Sequence, residues 1–220
     1  MLVVTAHPDD VDFGTAGTVA AFTRAGLEVT YCIATNGDAG GSDRAMSRAD
    51  MAALRQGEQR AAAAEVGVTD VRFLGHPDGR LLPTIELRRD ISRVIRQVRP
   101  ERVLCPSPER RWDFIYASHP DHLAAGEAAV CAVYPDARNP FAHPELLADY
   151  VNNTSPVQVM DHGDDAVNAD HGKVVAGRQG EAWYLDEFGG FGKVRLFSPP
   201  TARLARQYDT NPHRNRRRRA

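Results

Sequence analysis

Two short motifs in this sequence combine histidine with aspartate. The first, TAHPDD, spans residues 5–10, and the second, SHPDH, spans residues 118–122. Adjacent carboxylates such as those of Asp9 and Asp10 repel each other, so a packed core would exclude them unless a cation offsets the repulsion. The motifs therefore raise the question of whether they bind a metal ion together.

The residue types in the two motifs match those of a catalytic zinc site. His7, one of Asp9 and Asp10, and one of His119 and His122 would supply two imidazoles and one carboxylate. Catalytic zinc commonly has three protein ligands and leaves its fourth position to water. Iron(II) accepts the same ligand set, so the residue types alone leave the metal open.

The remaining aspartate and histidine have residue types that suit hydrolysis. A carboxylate beside a metal-bound water can accept its proton as a general base. A spare histidine can donate a hydrogen bond to the oxyanion of a tetrahedral intermediate. Pro120 suits the first position of a helix and Asp121 suits the positive end of the helix dipole, which places His119 at the cap and His122 in the first turn.

Strand-like and helix-like patterns alternate along the first 135 residues. Apolar runs predict strands and 3.6-residue periodicity predicts helices: strands at 2–6, 27–37, 71–75 and 102–108, and helices at 15–26, 51–67, 84–100 and from 120 onward. This alternation predicts an α/β fold, Rossmann-like, with a mostly parallel sheet and helices on both faces. Ligands bind such sheets beyond the carboxyl ends of the strands, where both motifs fall.

The sequence resembles the PIG-L/LmbE-like de-N-acetylases over residues 1 to about 147. The resemblance rests on AHPDD near the start, TNG after the second strand, LGHPDGRL after the third and SHPDH after the fourth. It implies a zinc-dependent enzyme that hydrolyses N-acyl groups, mostly on N-acetylglucosamine conjugates. It also implies that His7, Asp10 and His122 bind the zinc ion; the ligand types leave another divalent metal such as Fe²⁺ as an alternative.

The resemblance implies roles for five further residues. Asp9 would be the general base. His119 would polarise the carbonyl and later protonate the amine, and Asp121 would orient a catalytic histidine. Arg55, in a helix pattern similar to the arginine–glutamate helix of the family, would contact the substrate. Asp78, in HPDG, would accept a hydrogen bond from a sugar hydroxyl.

The last third of the chain departs from this pattern. From about Asp149 the periodicity is weak and Asn, Asp and Gly are frequent. We therefore predict an LmbE-like catalytic domain over 1–148 and an atypical segment over 149–220, partly irregular, with one or two strands near its middle and a disordered arginine-rich tail. The run DHGDDAVNADHG, at 161–172, is predicted to be a solvated loop rather than a second metal site.

Composition narrows the choice of partners and compartment. A formal net charge of −2 argues against a dedicated nucleic-acid-binding protein, and no apolar run reaches the length of a membrane span. No signal peptide is visible. Cys32, Cys105 and Cys131 are expected to be free thiols in a reducing compartment. These features predict a cytoplasmic enzyme acting on a small amino-sugar conjugate, without nucleic-acid or membrane partners, and leave homo-oligomer formation open.

Two alternatives to a deacetylase stay open. An iron(II) oxygenase could use the same three ligands, and oxygen-dependent turnover would identify it, although Asp9 would have no obvious purpose there. The second alternative is a protein that keeps the site but has lost enzyme activity because of its atypical C-terminal third. Zinc binding without turnover, together with rapid proteolysis beyond about residue 148, would favour it.

Overall fold

The computed structural model describes residues 1–112, 115, 118–149, 158–161, 172–175 and 182–185. The described residues form one seven-stranded sheet. Its strands are β1 Leu2–Thr5, β2 Thr30–Thr35, β3 Asp70–His76, β4 Arg102–Cys105, β5 Gln158–Asp161, β6 Gly172–Val175 and β7 Ala182–Leu185. The strand order is β3-β2-β1-β4-β5-β6-β7. The first five strands are parallel, and β6 and β7 are added antiparallel.

Among the described residues, five α-helices connect and follow the first four strands. They are α1 Asp10–Gly14, α2 Ala16–Arg24, α3 Arg48–Glu65, α4 Ile85–Val98 and α5 Pro120–Val133. The α/β fold with a mostly parallel sheet is therefore confirmed. The single helix predicted at 15–26 is preceded by the short helix α1, which begins directly after Asp9.

Helices cover both faces of the sheet, as the apolar strands predict. The side chains of β1 alternate between two cores. Leu2 and Val4 pack in one core with residues of α4 and α5, such as Leu87 and Ala125. Val3 packs in the other core with residues of α2 and α3 such as Val19, Phe22 and Ala63. Full burial of each large aliphatic side chain contributes about 1.5–3 kcal/mol, so the two cores fix the sheet between its helices.

The order of the strands explains why the two histidine motifs can meet. From β1 the chain moves outward through β2 and β3, and then returns to place β4 on the other side of β1. The loops that follow β1 and β4 therefore lead to opposite faces of the sheet and leave a crevice between them. TAHPDD occupies the turn after β1, and SHPDH opens α5, the helix after β4.

A buried arginine holds the segment that follows α5. The side chain of Arg96 is in α4 and donates hydrogen bonds to the carbonyl oxygens of Asp136, Asn139 and Ala142 at 3.1, 3.1 and 3.0 Å. Arg88 adds two hydrogen bonds of 2.8 Å to the Asp136 carboxylate. These contacts fix the chain against α4 almost as far as the predicted domain boundary at 148, and the boundary itself stays a prediction.

Other expectations fall partly on the described residues and partly outside them. Within the described residues, Cys32, Cys105 and Cys131 form no disulfide bond. None of the helices in the described part has the length and apolar character needed to cross a membrane. β7 lies in the region where strands were predicted. The interior of the predicted loop at 161–172 and the arginine-rich tail lie outside the described residues.

Candidate metal centre

The turn after β1 directs two adjacent carboxylates to different places. Asp9 has a φ of 88°, in the left-handed region, and α1 begins at the next residue. The Asp10 carboxylate turns inward, where Oδ2 accepts the backbone N–H groups of Ala6 and His7 at 3.0 and 2.9 Å. The Asp9 carboxylate instead contacts the guanidinium of Arg55. The backbone conformation of Asp9 therefore separates the two charges.

Asp10 and two histidines bring three donor atoms close together. His7 Nδ1 lies 3.1 Å from His122 Nε2. Asp10 Oδ1 lies 3.2 Å from His122 Nε2 and 3.7 Å from His7 Nδ1. Ligands about 2.0–2.1 Å from a tetrahedral zinc ion are about 3.3 Å from one another. The spacing of these donors therefore fits a single ion, and the sequence-predicted ligand set is brought together.

His119 lies at the solvent-facing side of this group. Its ring centroid is 5.1 Å from the ring centroids of both His7 and His122. One ring nitrogen from each of His7, His119 and His122 lies within 4.8 Å of the other two. His119 is therefore geometrically an alternative third ligand. His119 Nδ1 accepts the backbone N–H of Asp121 at 3.2 Å. In the neutral imidazole this leaves the hydrogen on Nε2, which can then act as a donor.

The far nitrogen of His7 faces two carboxylates. His7 Nε2 lies 3.1 Å from Asp121 Oδ2 and 3.2 Å from Asp78 Oδ1. Among the described residues, His7, Asp78 and Asp121 form a further group whose donor atoms are close enough to bind a metal ion. A proton on Nε2 shared with these carboxylates leaves Nδ1 of His7 free to bind a metal, as in carboxylate–histidine–metal arrangements.

Asp121 is held firmly in this position. It is buried, with 1% exposure. Its Oδ2 accepts the backbone N–H of Gly79 at 2.8 Å, and its Oδ1 accepts that of Leu81 at 3.2 Å. The histidine side chain that Asp121 contacts is His7, whereas it reaches His119 through its backbone N–H. Its role in orienting a histidine stays a prediction, with His7 as the partner indicated by the geometry.

Asp78 is nearly enclosed rather than open to a ligand. Its Oδ2 accepts the backbone N–H of Ala39 at 3.0 Å, and its own backbone N–H donates to Asp38 Oδ1 at 3.1 Å. The side chain is 11% exposed. These bonds join the loops after β2 and β3 and place Asp78 beside His7. Its predicted role as an acceptor for a sugar hydroxyl stays a prediction.

Arg55 reaches the site from α3. Its Nη2 donates to the carbonyl oxygen of Pro8 at 3.2 Å and to the Asp9 carboxylate, and its Nη1 donates to Glu58 Oε2 at 2.9 Å. Arg55 is therefore positioned beside the predicted general base. Its predicted contact with the substrate stays a prediction.

The histidines and Asp10 shift one another's protonation. Burial acts to raise the pKa of Asp10, but contacts with His122 and His7 hold the pKa well below its ordinary range. Burial acts to lower the pKa of His7, but Asp10 and Asp121 outweigh it and raise the pKa. Asp10 is thus kept ionised, which suits the binding of a cation.

The two predicted proton-transfer groups show opposite shifts. Burial raises the pKa of Asp9, and the ion pair with Arg55 offsets part of that rise. Burial lowers the pKa of His119, and His122 and His7 lower it further. Both shifts favour the neutral form of the group, which is the expected effect of a partly enclosed site on an acid and a base.

One residue of this site, Gln59, is missing from the sequence-based predictions. It is buried in α3, and its side chain contacts both Asp9 and Asp12. The spacing of Gln59 in the sequence could have pointed to it. Gln59 lies four residues after Arg55, and residues four apart share one face of a helix. A polar side chain on that face beside an alanine-rich stretch could have indicated a buried contact.

The sequence has recognisable relatives among proteins named as deacetylases. A diacetylchitobiose deacetylase from Thermococcus kodakarensis is 35% identical over 148 residues, which are 67% of this chain and 54% of that protein. A probable N-acetyl-α-D-glucosaminyl L-malate deacetylase 2 from Bacillus cereus is 32% identical over 193 residues, 80% of this chain and 84% of the relative. The chain thus spans about half the length of the Thermococcus relative and most of the Bacillus one.

The fold also has a close counterpart of known structure. The N,N'-diacetylchitobiose deacetylase from Pyrococcus horikoshii superimposes with a TM-score of 0.67 at 28% identity, over 73% of this chain and 59% of that one. The family model described as "PIG-L: GlcNAc-PI de-N-acetylase" matches residues 2–133, which contain both histidine motifs. The sequence resemblance is confirmed: the chain belongs to the PIG-L family of deacetylases.

Proposed function

We propose that this protein is a zinc-dependent hydrolase that removes an N-acetyl group from an amino-sugar conjugate such as an N-acetylglucosaminide. The observation that carries the proposal is the triangle of donor atoms from His7, Asp10 and His122, with edges of 3.1, 3.2 and 3.7 Å. Membership of a deacetylase family supports the reaction, and the named substrates of the relatives support the substrate class.

His7, Asp10 and His122 would hold the metal ion through two imidazole nitrogens and one carboxylate oxygen. Zn²⁺ suits this ligand set, and Fe²⁺ is the alternative. When bound, such an ion supplies Lewis acidity and lowers the pKa of a coordinated water. Within the triangle, the carboxylate of Asp10 offsets part of the ion's charge, and its two backbone hydrogen bonds fix its orientation.

Asp9 and His119 would move the protons of the hydrolysis. The attacking water adds its oxygen to the amide carbon and gives a proton to the Asp9 carboxylate. The Nε2–H of His119 donates a hydrogen bond to the amide oxygen as negative charge develops there. When the C–N bond breaks, the proton that Asp9 took from the water would pass by way of His119 to the leaving nitrogen, and the products are acetate and a free amine.

Asp121 would set the orientation of His7. Replacing Asp121 by asparagine removes the negative charge beside His7 Nε2. It also replaces one acceptor oxygen by an NH₂ group, which would then face the N–H donors of Gly79 and His7 or that of Leu81. For Asp121→Asn we expect zinc affinity to fall about 10–100-fold, as is usual for outer partners of metal-binding histidines.

Zinc titration against a chelating indicator measures that change. The matched control is Asp90→Asn, which removes the carboxylate of a second histidine–aspartate pair, His76 and Asp90, 3.2 Å apart. The control should bind zinc like the wild type. Equal affinity in Asp121→Asn and in the wild type would contradict the orienting role.

Removal of the metal tests the proposed function most directly. We expect the purified protein to release free amine from N-acetylglucosaminides, to lose that activity on dialysis against a chelator, and to regain it with one equivalent of Zn²⁺ per chain. Metal analysis before and after dialysis gives the stoichiometry. Turnover that survives complete removal of the metal would contradict the proposal.

The same assay separates the alternatives. Turnover that needs dioxygen and Fe²⁺ would indicate the oxygenase. Zinc bound at full stoichiometry with no amine released from any N-acetylglucosaminide would indicate the non-enzyme. This assay does not test the predicted cytoplasmic location or the predicted lack of a nucleic-acid partner. It also leaves the question of homo-oligomer formation open.

A further inference from the structure

Gln59 joins the turn after β1 to α3 by two hydrogen bonds. Its Oε1 accepts the backbone N–H of Asp9, and its Nε2 donates to Asp12 Oδ1 at 3.2 Å. The residue is 1% exposed, although glutamine is mostly found at protein surfaces. Only one orientation of the amide serves both partners, because one is a donor and the other an acceptor.

The backbone that Gln59 contacts has an unfavourable conformation. Asp9 has a φ of 88°, in the left-handed region, where only a few per cent of residues other than glycine lie and where aspartate is found more often than most. Such a conformation persists when surrounding contacts hold it, and it is often found at functional sites. The carbonyl oxygen of Asp9 is also fixed, since it accepts the N–H groups of Asp12 and Phe13 at 2.8 and 3.2 Å.

This conformation decides where two charges point. Asp10 directs its carboxylate to His7 and His122, while Asp9 directs its carboxylate to Arg55. A return of Asp9 to a negative φ would rotate its side chain relative to that of Asp10. The N–H of Asp9 is the group that such a rotation moves, and Gln59 is the side chain that holds it.

We propose that Gln59 is a positioning residue: its buried amide holds the Asp9 backbone in the left-handed conformation and so keeps the Asp9 carboxylate apart from the Asp10 carboxylate. The catalytic part of this proposal rests on the proposed function, in which Asp9 is the general base. The two hydrogen bonds of the Gln59 side chain go to Asp9 and Asp12, neither of which is a candidate metal ligand.

Gln59→Met tests the backbone part without any measurement of activity. Methionine fills a similar volume but cannot accept the Asp9 N–H. Amide hydrogen exchange measured by NMR should speed up at Asp9 by about tenfold, the equivalent of one lost hydrogen bond. The matched control is Thr23→Val. It removes a hydroxyl that donates a hydrogen bond of 2.6 Å to the carbonyl oxygen of Val66, just after α3, and so deletes a different side-chain hydrogen bond. Unchanged exchange at Asp9 in Gln59→Met would overturn the proposal.

Kinetics test the catalytic part. In Gln59→Met we expect kcat to fall about 10–100-fold, while KM and zinc stoichiometry stay at wild-type values. A loss of kcat no larger than in Thr23→Val, with melting temperatures lowered alike, would show a merely structural role and overturn this part. If the wild type releases no amine at all, the proposed function fails, and the exchange measurement still decides what Gln59 does to Asp9.

An exchange of partners provides the rescue. Gln59→Glu alone places a second carboxylate against Asp12 Oδ1, and the two like charges repel. The double variant Gln59→Glu/Asp12→Asn restores one donor and one acceptor with the same number of atoms. We expect the single variant to lose kcat and to show faster exchange at Asp9, and the double variant to recover most of both. No recovery in the double variant would contradict the assigned hydrogen-bond network.

Discussion

Asp9→Asn should abolish most of the turnover while the protein keeps its metal. The asparagine side chain has the same size and can still accept a hydrogen bond from Arg55, but it cannot take a proton from water. General-base catalysis contributes about 10²–10⁴-fold to rates, so we expect kcat to fall about a thousandfold. Asp10→Asn should behave differently, because Asp10 Oδ1 is one of the three converging donors: it should lose metal first and activity as a consequence.

Amine release and metal content measured on the same samples distinguish the two variants. Asp43→Asn is the control, since Asp43 is exposed in the loop after β2 and its carboxylate accepts the backbone N–H of the nearby Ala45. It should match the wild type in both measurements. A wild-type kcat in Asp9→Asn would remove Asp9 as the base, and full zinc content in Asp10→Asn would remove Asp10 as a ligand.

Gly126→Ala should strongly destabilise the fold. A Cβ atom at Gly126 would lie 2.3 Å from the carbonyl oxygen of Pro106 and 3.1 Å from the nitrogen of Pro108. These are backbone atoms of the segment directly after β4, so no side chain can rotate away. We expect the free energy of unfolding to fall by about 3 kcal/mol, the upper end of the usual cost of overpacking. The melting temperature should then drop by roughly 10 °C.

The close approach at Gly126 also bears on the candidate site. α5 carries Asp121 and His122 at its first turn, and the contact with Pro106 fixes the position of α5 against the end of β4. A shift of α5 by about 1 Å would move His122 relative to His7, so zinc affinity should fall together with stability. Urea unfolding and zinc titration measure the two effects.

Gly57→Ala is the matched control for this substitution. Gly57 lies inside α3, and a Cβ atom there would meet nothing within 4 Å. Alanine is favoured over glycine inside a helix by about 1 kcal/mol, so this variant should be as stable as the wild type or slightly more stable. A Gly126→Ala protein with wild-type stability would show that α5 can move away from Pro106 at little cost.

The local sequence determined the elements and the chemistry of the site. The four apolar runs became β1 to β4, and the helical periodicities became α2 to α5. These patterns are readable because side-chain alternation and 3.6-residue repeats depend on neighbours in the chain. The histidine and aspartate types of TAHPDD and SHPDH indicated a metal site, and the strand order placed the two motifs on either side of one crevice.

The tertiary structure decided which atoms meet. The sequence could not show that Asp9 has a positive φ, that Asp121 faces Nε2 of His7, or that Asp78 is enclosed beside the same nitrogen. It also gave no direct sign that Gln59 reaches across 50 residues to the Asp9 N–H, or that Arg96 binds the carbonyl oxygens after α5. The physical reason is that these contacts join residues far apart in the chain. Their geometry depends on how whole helices pack on the sheet, whereas the patterns that predict helices and strands depend only on neighbouring residues.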